Sequence, residues 1–109
     1  MATSNPTEEL SPFATPALLV LATLADGPKH GYAIMQESEQ MSGQPLGPGT
    51  LYAALARLER RGLIEAVPSD DRRRPYRLTG LGASTLEAHL AQLQSFTQRA
   101  LGRLEGGAA

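Results

Sequence analysis

Seven arginines fall between residues 57 and 77 of a 109-residue chain that holds only ten basic residues in all. Four carboxylates share that stretch, leaving it at +3, while residues 1–56 carry −4 and residues 78–109 are neutral. A basic island in an acidic chain is a local footprint for a polyanion, although the total charge of −1 says nothing of one. Arg57 and Arg60 stand with Thr50 and Ala53 at intervals of three and four residues, one face of a helix. An arginine fork fits guanine O6 and N7 or a phosphate; threonine suits a phosphate or a thymine methyl; alanine lets a helix sit deep in a groove. Tyr52 lies at the edge of that face, where its hydroxyl can reach a phosphate or its ring can pack on the flank. Arg72, Arg73 and Arg74 follow a turn. They can neutralise phosphates or enter a narrow minor groove, Arg73 foremost, or form a solvated run paired with Asp70 and Asp71. Arg77 alternates with Tyr76 and is expected to face the last helix. Lys29 and His30 precede Gly31 and Tyr32 at a helix start, a place for a phosphate. The other reading there is that His30 caps and Tyr32 packs in the core.

Other chemistries find little to work with. Cysteine is absent, which excludes a disulfide framework, a thiol nucleophile and a thiolate metal site. His30 and His89 are too far apart for a histidine metal site. Glu8–Glu9 and Asp70–Asp71 fall in a tail and a turn, where nothing tunes a carboxyl pKa. The glycines at 47 and 49 have no strand before them and do not form a nucleotide loop. No catalytic residues, metal or cofactor are expected. The longest apolar run, Ala17 to Leu24 with one Thr, is too short to span a bilayer, and Glu8 and Glu9 argue against a targeting peptide. A cytoplasmic protein is expected.

These residues need elements to hold them. Residues 1–14 read as a flexible arm. A first helix starts with Thr15 as N-cap and Pro16 at the first position, is apolar nearly all round, and stops at Asp26, Gly27 and Pro28. A second runs from about His30 to Met41, with Ile34, Ser38 and Met41 on one stripe, and breaks at Ser42, Gly43 and Pro45. A third opens at Gly47 and Pro48, stacks Leu51, Leu55 and Leu58 inward, and ends on Gly62 as a left-handed cap. The period then changes to alternation: a strand over Leu63 to Val67, a turn at 68–71, and a second strand at Tyr76 to Leu78. Thr79 caps a last helix. Helix, helix, helix, hairpin and long helix, with a short Gly/Pro turn between the second and third, is a winged helix-turn-helix. The fold class is therefore mainly α with a small β-hairpin. The winged domain covers 15–79, a C-terminal dimerisation helix 80–105, and a disordered tail 106–109.

Three segments resemble the PadR family of bacterial transcriptional regulators. They are LLVLATLADGPKHGY, LGPGTLYAALARLERRGLIE and RRRPYRLTGLG, which with their linkers cover about residues 16–82. HGY, PGTLY and RLTxxG in combination are specific. Family members often carry Ser where this chain has Gly47, Pro where it has Ala53, and an aromatic where it has Pro75. The resemblance implies a double-stranded DNA partner.

In the last helix Leu86, Leu90, Leu93, Thr97, Ala100 and Leu104 follow the alternating four-and-three spacing of a coiled-coil seam. A small head cannot bury that stripe alone, so a homodimer is expected across it. Phe96 lies just off the seam, where it packs in the dimer or stacks on a planar aromatic effector; resemblance to regulators of this size puts effectors near the dimer interface. The leading reading is a homodimeric repressor on a pseudo-palindromic operator. The alternative is a winged-helix protein–protein interaction module without DNA.

Overall fold

The computed structural model describes residues 6–70 and 72–107. Helix α1 spans Pro16–Thr23 and is the hub, packed on all three other helices. Thr15 caps it as expected: its hydroxyl accepts the Leu18 N–H at 3.1 Å, and Pro16 takes the first position, where no amide donor is needed. Leu19, Val20 and Leu21 are buried, and a 3-10 turn at Leu24–Asp26 closes the helix.

Helix α2, Gly31–Ser42, ends on Gly43 in the left-handed region (φ 71°), with the Gly43 N–H on the Glu39 carbonyl. Ile34 and Ser38 face the core; Met41, on the same stripe in the last turn, is exposed. Helix α3, Pro48–Arg60, buries Leu51, Ala54, Leu55 and Leu58. Gly62 (φ 74°) stops it: the Gly62 N–H reaches the Glu59 carbonyl and the Leu63 N–H the Leu58 carbonyl, both at 3.0 Å. This paired closure satisfies carbonyls that a helix end otherwise leaves open.

The hairpin is shorter than the alternation suggests. Strand β1, Ile64–Ala66, pairs antiparallel with β2, Tyr76–Leu78, in the register Ile64↔Leu78, Glu65↔Arg77 and Ala66↔Tyr76. Lys29 adds a third edge. Its N–H donates to the Tyr76 carbonyl (3.0 Å) and its carbonyl accepts the Tyr76 N–H (2.9 Å). Lys29, two residues before α2, thus ties the wing to the body of the head.

Helix α4, Gly80–Gly107, is 28 residues long. Its Leu86 joins Val20, Leu24, Ile34, Leu51, Leu55, Leu58 and Ile64 in one core. The tail expected at 106–109 is helical at Gly106 and Gly107, since no breaker precedes them; 108 and 109 lie outside the described residues. Of the arm expected at 1–14, residues 1–5 lie outside the described residues and Pro6–Leu10 form a 3-10 helix. The Gln44 side chain holds its end, accepting the N–H groups of Phe13 (2.8 Å) and Ala14 (3.2 Å) and donating to the Ala14 carbonyl (3.0 Å). Asp71 of the turn is outside the described residues.

Candidate nucleic-acid interface

The amphipathic period of α3 turns its leucines inward and leaves Thr50, Ala53, Arg57 and Arg60 exposed together. Gly47 offers no side chain to cap the helix, so the first-turn amides have no side-chain acceptor.

A second surface meets this one. Arg72, Arg73 and Arg74 are exposed on the wing. With His30, Gly31, Tyr32, Tyr52 and Tyr76 they line a cavity of about 360 Å³. All three tyrosines of the chain stand there, beside the start of α2. Gly31 explains the approach of α3: a Cβ on it would come within 2.9 Å of the Tyr52 hydroxyl. The Tyr52 ring packs over the start of α2 and yet remains 56% exposed, so the packing and a polar contact by the hydroxyl are compatible. The sequence offered no sign of this convergence, because its three parts, at 30–32, 52 and 72–76, are remote from one another along the chain.

Individual residues depart from expectation. Tyr32 is not a core residue: it is 63% exposed, and its hydroxyl accepts from Gln36 Nε2 at 3.1 Å. His30 occupies the N-cap position through its backbone alone, and its buried Nδ1 has no partner. Lys29 is a correction to the expected phosphate contacts. Its ammonium turns inward, donating to the Thr23 carbonyl (2.8 Å), bonding Asp26, and lying 3.6 Å from Glu37; the side chain is 11% exposed. The Thr23 carbonyl lies where α1 ends, and the short Gly/Pro turn leaves Lys29 within its reach. The hydrogen bond and charge of Lys29 hold the Asp26 carboxyl below the usual carboxylate range. Arg77 does not face α4 but pairs with Glu65, directly opposite on the hairpin, at 2.8 Å.

On α4 the expected seam divides. Leu86 is buried in its own head and is not free for a partner, because α1 already covers it. Beyond it Leu90, Leu93, Thr97 and Leu104 are exposed and Ala100 is half-buried. Leu101 (54% exposed), which the strict seam left out, widens the stripe, and Phe96 is 70% exposed. Among the described residues no group of three His, Cys, Asp or Glu could hold a metal ion, and no helix is long and apolar enough to cross a membrane.

A profile of the PadR-like transcriptional regulator family matches residues 20–88. A transcriptional regulator of Mycobacterium tuberculosis is 35% identical over 88 residues, 78% of this chain and 81% of that one. A protein carried in a Streptomyces fradiae transposon is 54% identical over 70 residues, 64% of this chain; the match spans only 20% of that longer protein. Among solved structures, a PadR family regulator from Clostridium difficile superposes with a TM-score of 0.70 at 28% identity, covering 82% of this chain and 96% of that one. Another from Eggerthella lenta gives 0.66 at 32% identity, covering 81% and 79%. The three motifs, the winged head and the long terminal helix agree with these matches, and the chain belongs to the PadR-like family of transcriptional regulators.

Proposed function

We propose that the protein is a cytoplasmic homodimeric repressor that binds a pseudo-palindromic operator. The observation that carries this is the shared cavity in which the wing arginines, the start of α2 and Tyr52 of α3 converge beside an exposed arginine face. In this reading Arg57 and Arg60 reach base edges or phosphates in the major groove, with Thr50 and Ala53 allowing close approach. Arg72, Arg73 and Arg74 take phosphates or the minor groove at the wing. The start of α2, with His30 and the Tyr52 hydroxyl, receives a phosphate between them. Leu90, Leu93, Thr97, Ala100 and Leu104 meet a second copy, which sets two recognition helices about one DNA turn, ~34 Å, apart. Phe96, beside that contact, stacks on a planar aromatic effector that releases the operator.

Selecting bound fragments from random duplexes is the direct test. A two-fold motif with half-sites about one turn apart is the expected result; no enrichment removes the reading. If the dimer neutralises roughly 6–8 phosphates, log K should fall against log salt with a slope of about −5 to −7. For the effector, a panel of planar aromatic compounds should contain at least one that raises the melting temperature and lowers operator affinity.

A further inference from the structure

The turn that ends α3 and the first turn of α4 share one hydroxyl, that of Thr79. The left-handed turn at Gly62 leaves the carbonyls of Gly62 and Leu63 pointing toward the end of β2. Thr79 takes both: its N–H donates to the Leu63 carbonyl at 3.1 Å, and its side-chain hydroxyl donates to the Gly62 carbonyl at 2.6 Å. The same hydroxyl accepts the Gly82 N–H at 3.0 Å, in the first turn of α4. A hydroxyl has one proton to give, and here it is given to the end of α3 while the oxygen caps α4. Gly82 brings the two still closer: a Cβ there would stand 1.9 Å from the Leu63 oxygen.

A small rotation at this joint has a large effect at the far end of α4. The exposed apolar stripe centres near Thr97, 17 residues beyond Gly80, or ~26 Å along the helix. A tilt of about 10° at the joint would carry that point ~4–5 Å, more than one base-pair step of ~3.4 Å. Leu86 anchors α4 in the core whether or not the hydroxyl is present, so the pin governs direction more than attachment.

We propose that Thr79 is a specificity-determining positioning residue. As the hydrogen-bonded pin between the end of α3 and the first turn of α4, it sets the angle between them and so the half-site spacing that the dimer accepts. The proposal rests on the reading of the protein as a dimer on a two-fold operator.

The test separates pinning from capping. Thr79→Ser keeps both hydrogen bonds. Thr79→Asp keeps an oxygen for the Gly82 N–H but, ionised, has no proton for the Gly62 carbonyl; aspartate is a good N-cap, so the fold is retained. Thr79→Val removes both bonds. The chain has no cysteine, so Glu59→Cys, exposed near the end of α3, takes a single spin label. Pulsed dipolar spectroscopy on the DNA-free dimer then reads the distance between the two α3 helices. The parent and Thr79→Ser should give one narrow distribution, and Thr79→Asp and Thr79→Val a broad or shifted one at unchanged dimer mass. On duplexes with the half-sites moved by single base pairs, the parent and Thr79→Ser should favour one spacing by about tenfold, and the Asp and Val variants by no more than about threefold. A folded, dimeric Thr79→Asp with the parent's distribution and spacing preference overturns the proposal. Absence of dipolar coupling in the parent would instead overturn the dimer reading, and this inference with it. A coupled dimer that bound no duplex would overturn the DNA reading and leave the joint to be decided by the distances alone.

Discussion

The proposed interface gives Arg57, Arg60 and Arg73 one part and Lys29 the opposite one, and single substitutions separate them. Arg57 and Arg60 are exposed on α3 with Thr50 and Ala53. Arg57→Ala or Arg60→Ala should cost ~1–3 kcal/mol on the selected operator and far less on random DNA, if each forks onto a base. Arg73→Ala should instead weaken binding to all sequences alike and flatten the salt slope by about one unit for each phosphate it no longer neutralises. Fluorescence anisotropy on matched cognate and random duplexes checks both; equal losses on the two by both α3 variants would remove base readout. Lys29 should behave in the reverse way. Its ammonium serves the Thr23 carbonyl, Asp26 and Glu37, so Lys29→Met should lower stability by about 1–2 kcal/mol and leave DNA affinity unchanged. Denaturant melts and anisotropy on the same sample read the two effects. Asp26, whose carboxyl is held below its unfolded value, adds stability that is present above that value and lost as pH falls through the lowered one. Asp26 is exposed and the contribution is small.

At the scale of elements, glycine marks where backbones must touch. Gly82 is buried where α4 crosses the Leu63 carbonyl, and a methyl there meets backbone oxygen, which cannot turn aside. Gly82→Ala should cost about 1–3 kcal/mol and displace α4. Gly102, on the same helix, has nothing within 4 Å of a Cβ and lies on the side away from the apolar stripe. Gly102→Ala should gain about 0.5–1 kcal/mol, because alanine has less backbone freedom to lose. Thermal melts of the pair test whether close approach or helix propensity governs each position. A Gly82→Ala protein as stable as the parent would show that α4 does not sit against the Leu63 carbonyl in solution.

For the whole molecule, the decisive feature is α4 outrunning its head. The helix is ~42 Å long, and the molecule extends 60 Å along its longest axis. Past Leu86 the stripe of Leu90, Leu93, Leu101 and Leu104 is only partly covered by its own chain, and its exposure reaches 70% at Leu104. In the proposed dimer a second copy of the same helix covers this apolar stripe with symmetry. The double change Leu90→Asp and Leu93→Asp sets like charges against their copies. It should yield a monomer by sedimentation, abolish operator binding, and leave the helical signal of the head in place, since Leu86 and the core are untouched. A monodisperse monomer of the unmutated protein at micromolar concentration would overturn the dimer.

The order of elements and most of their ends were legible locally. Thr15 with Pro16, Gly47 with Pro48, Gly62, and Thr79 as the cap on Gly82, each act through their own backbone neighbourhood, so residue type alone announces them. The inward leucines of α3 and the exposed face opposite follow from helical period in the same way. Family membership was also written in linear motifs. What the chain could not announce were contacts between segments remote in sequence. Lys29 carries the same charge wherever it points, and only the packing of α1, α2 and the wing turned it inward. Leu86 and Leu90 share one stripe and one side-chain type, yet the edge of the head falls between them, burying the first and leaving the second 45% exposed. Arg77 met Glu65 through a hairpin register that neither residue specifies alone. Periodicity assigns a residue to a face of its own element; which faces are covered depends on where the other elements end, and that is settled only when the chain closes on itself.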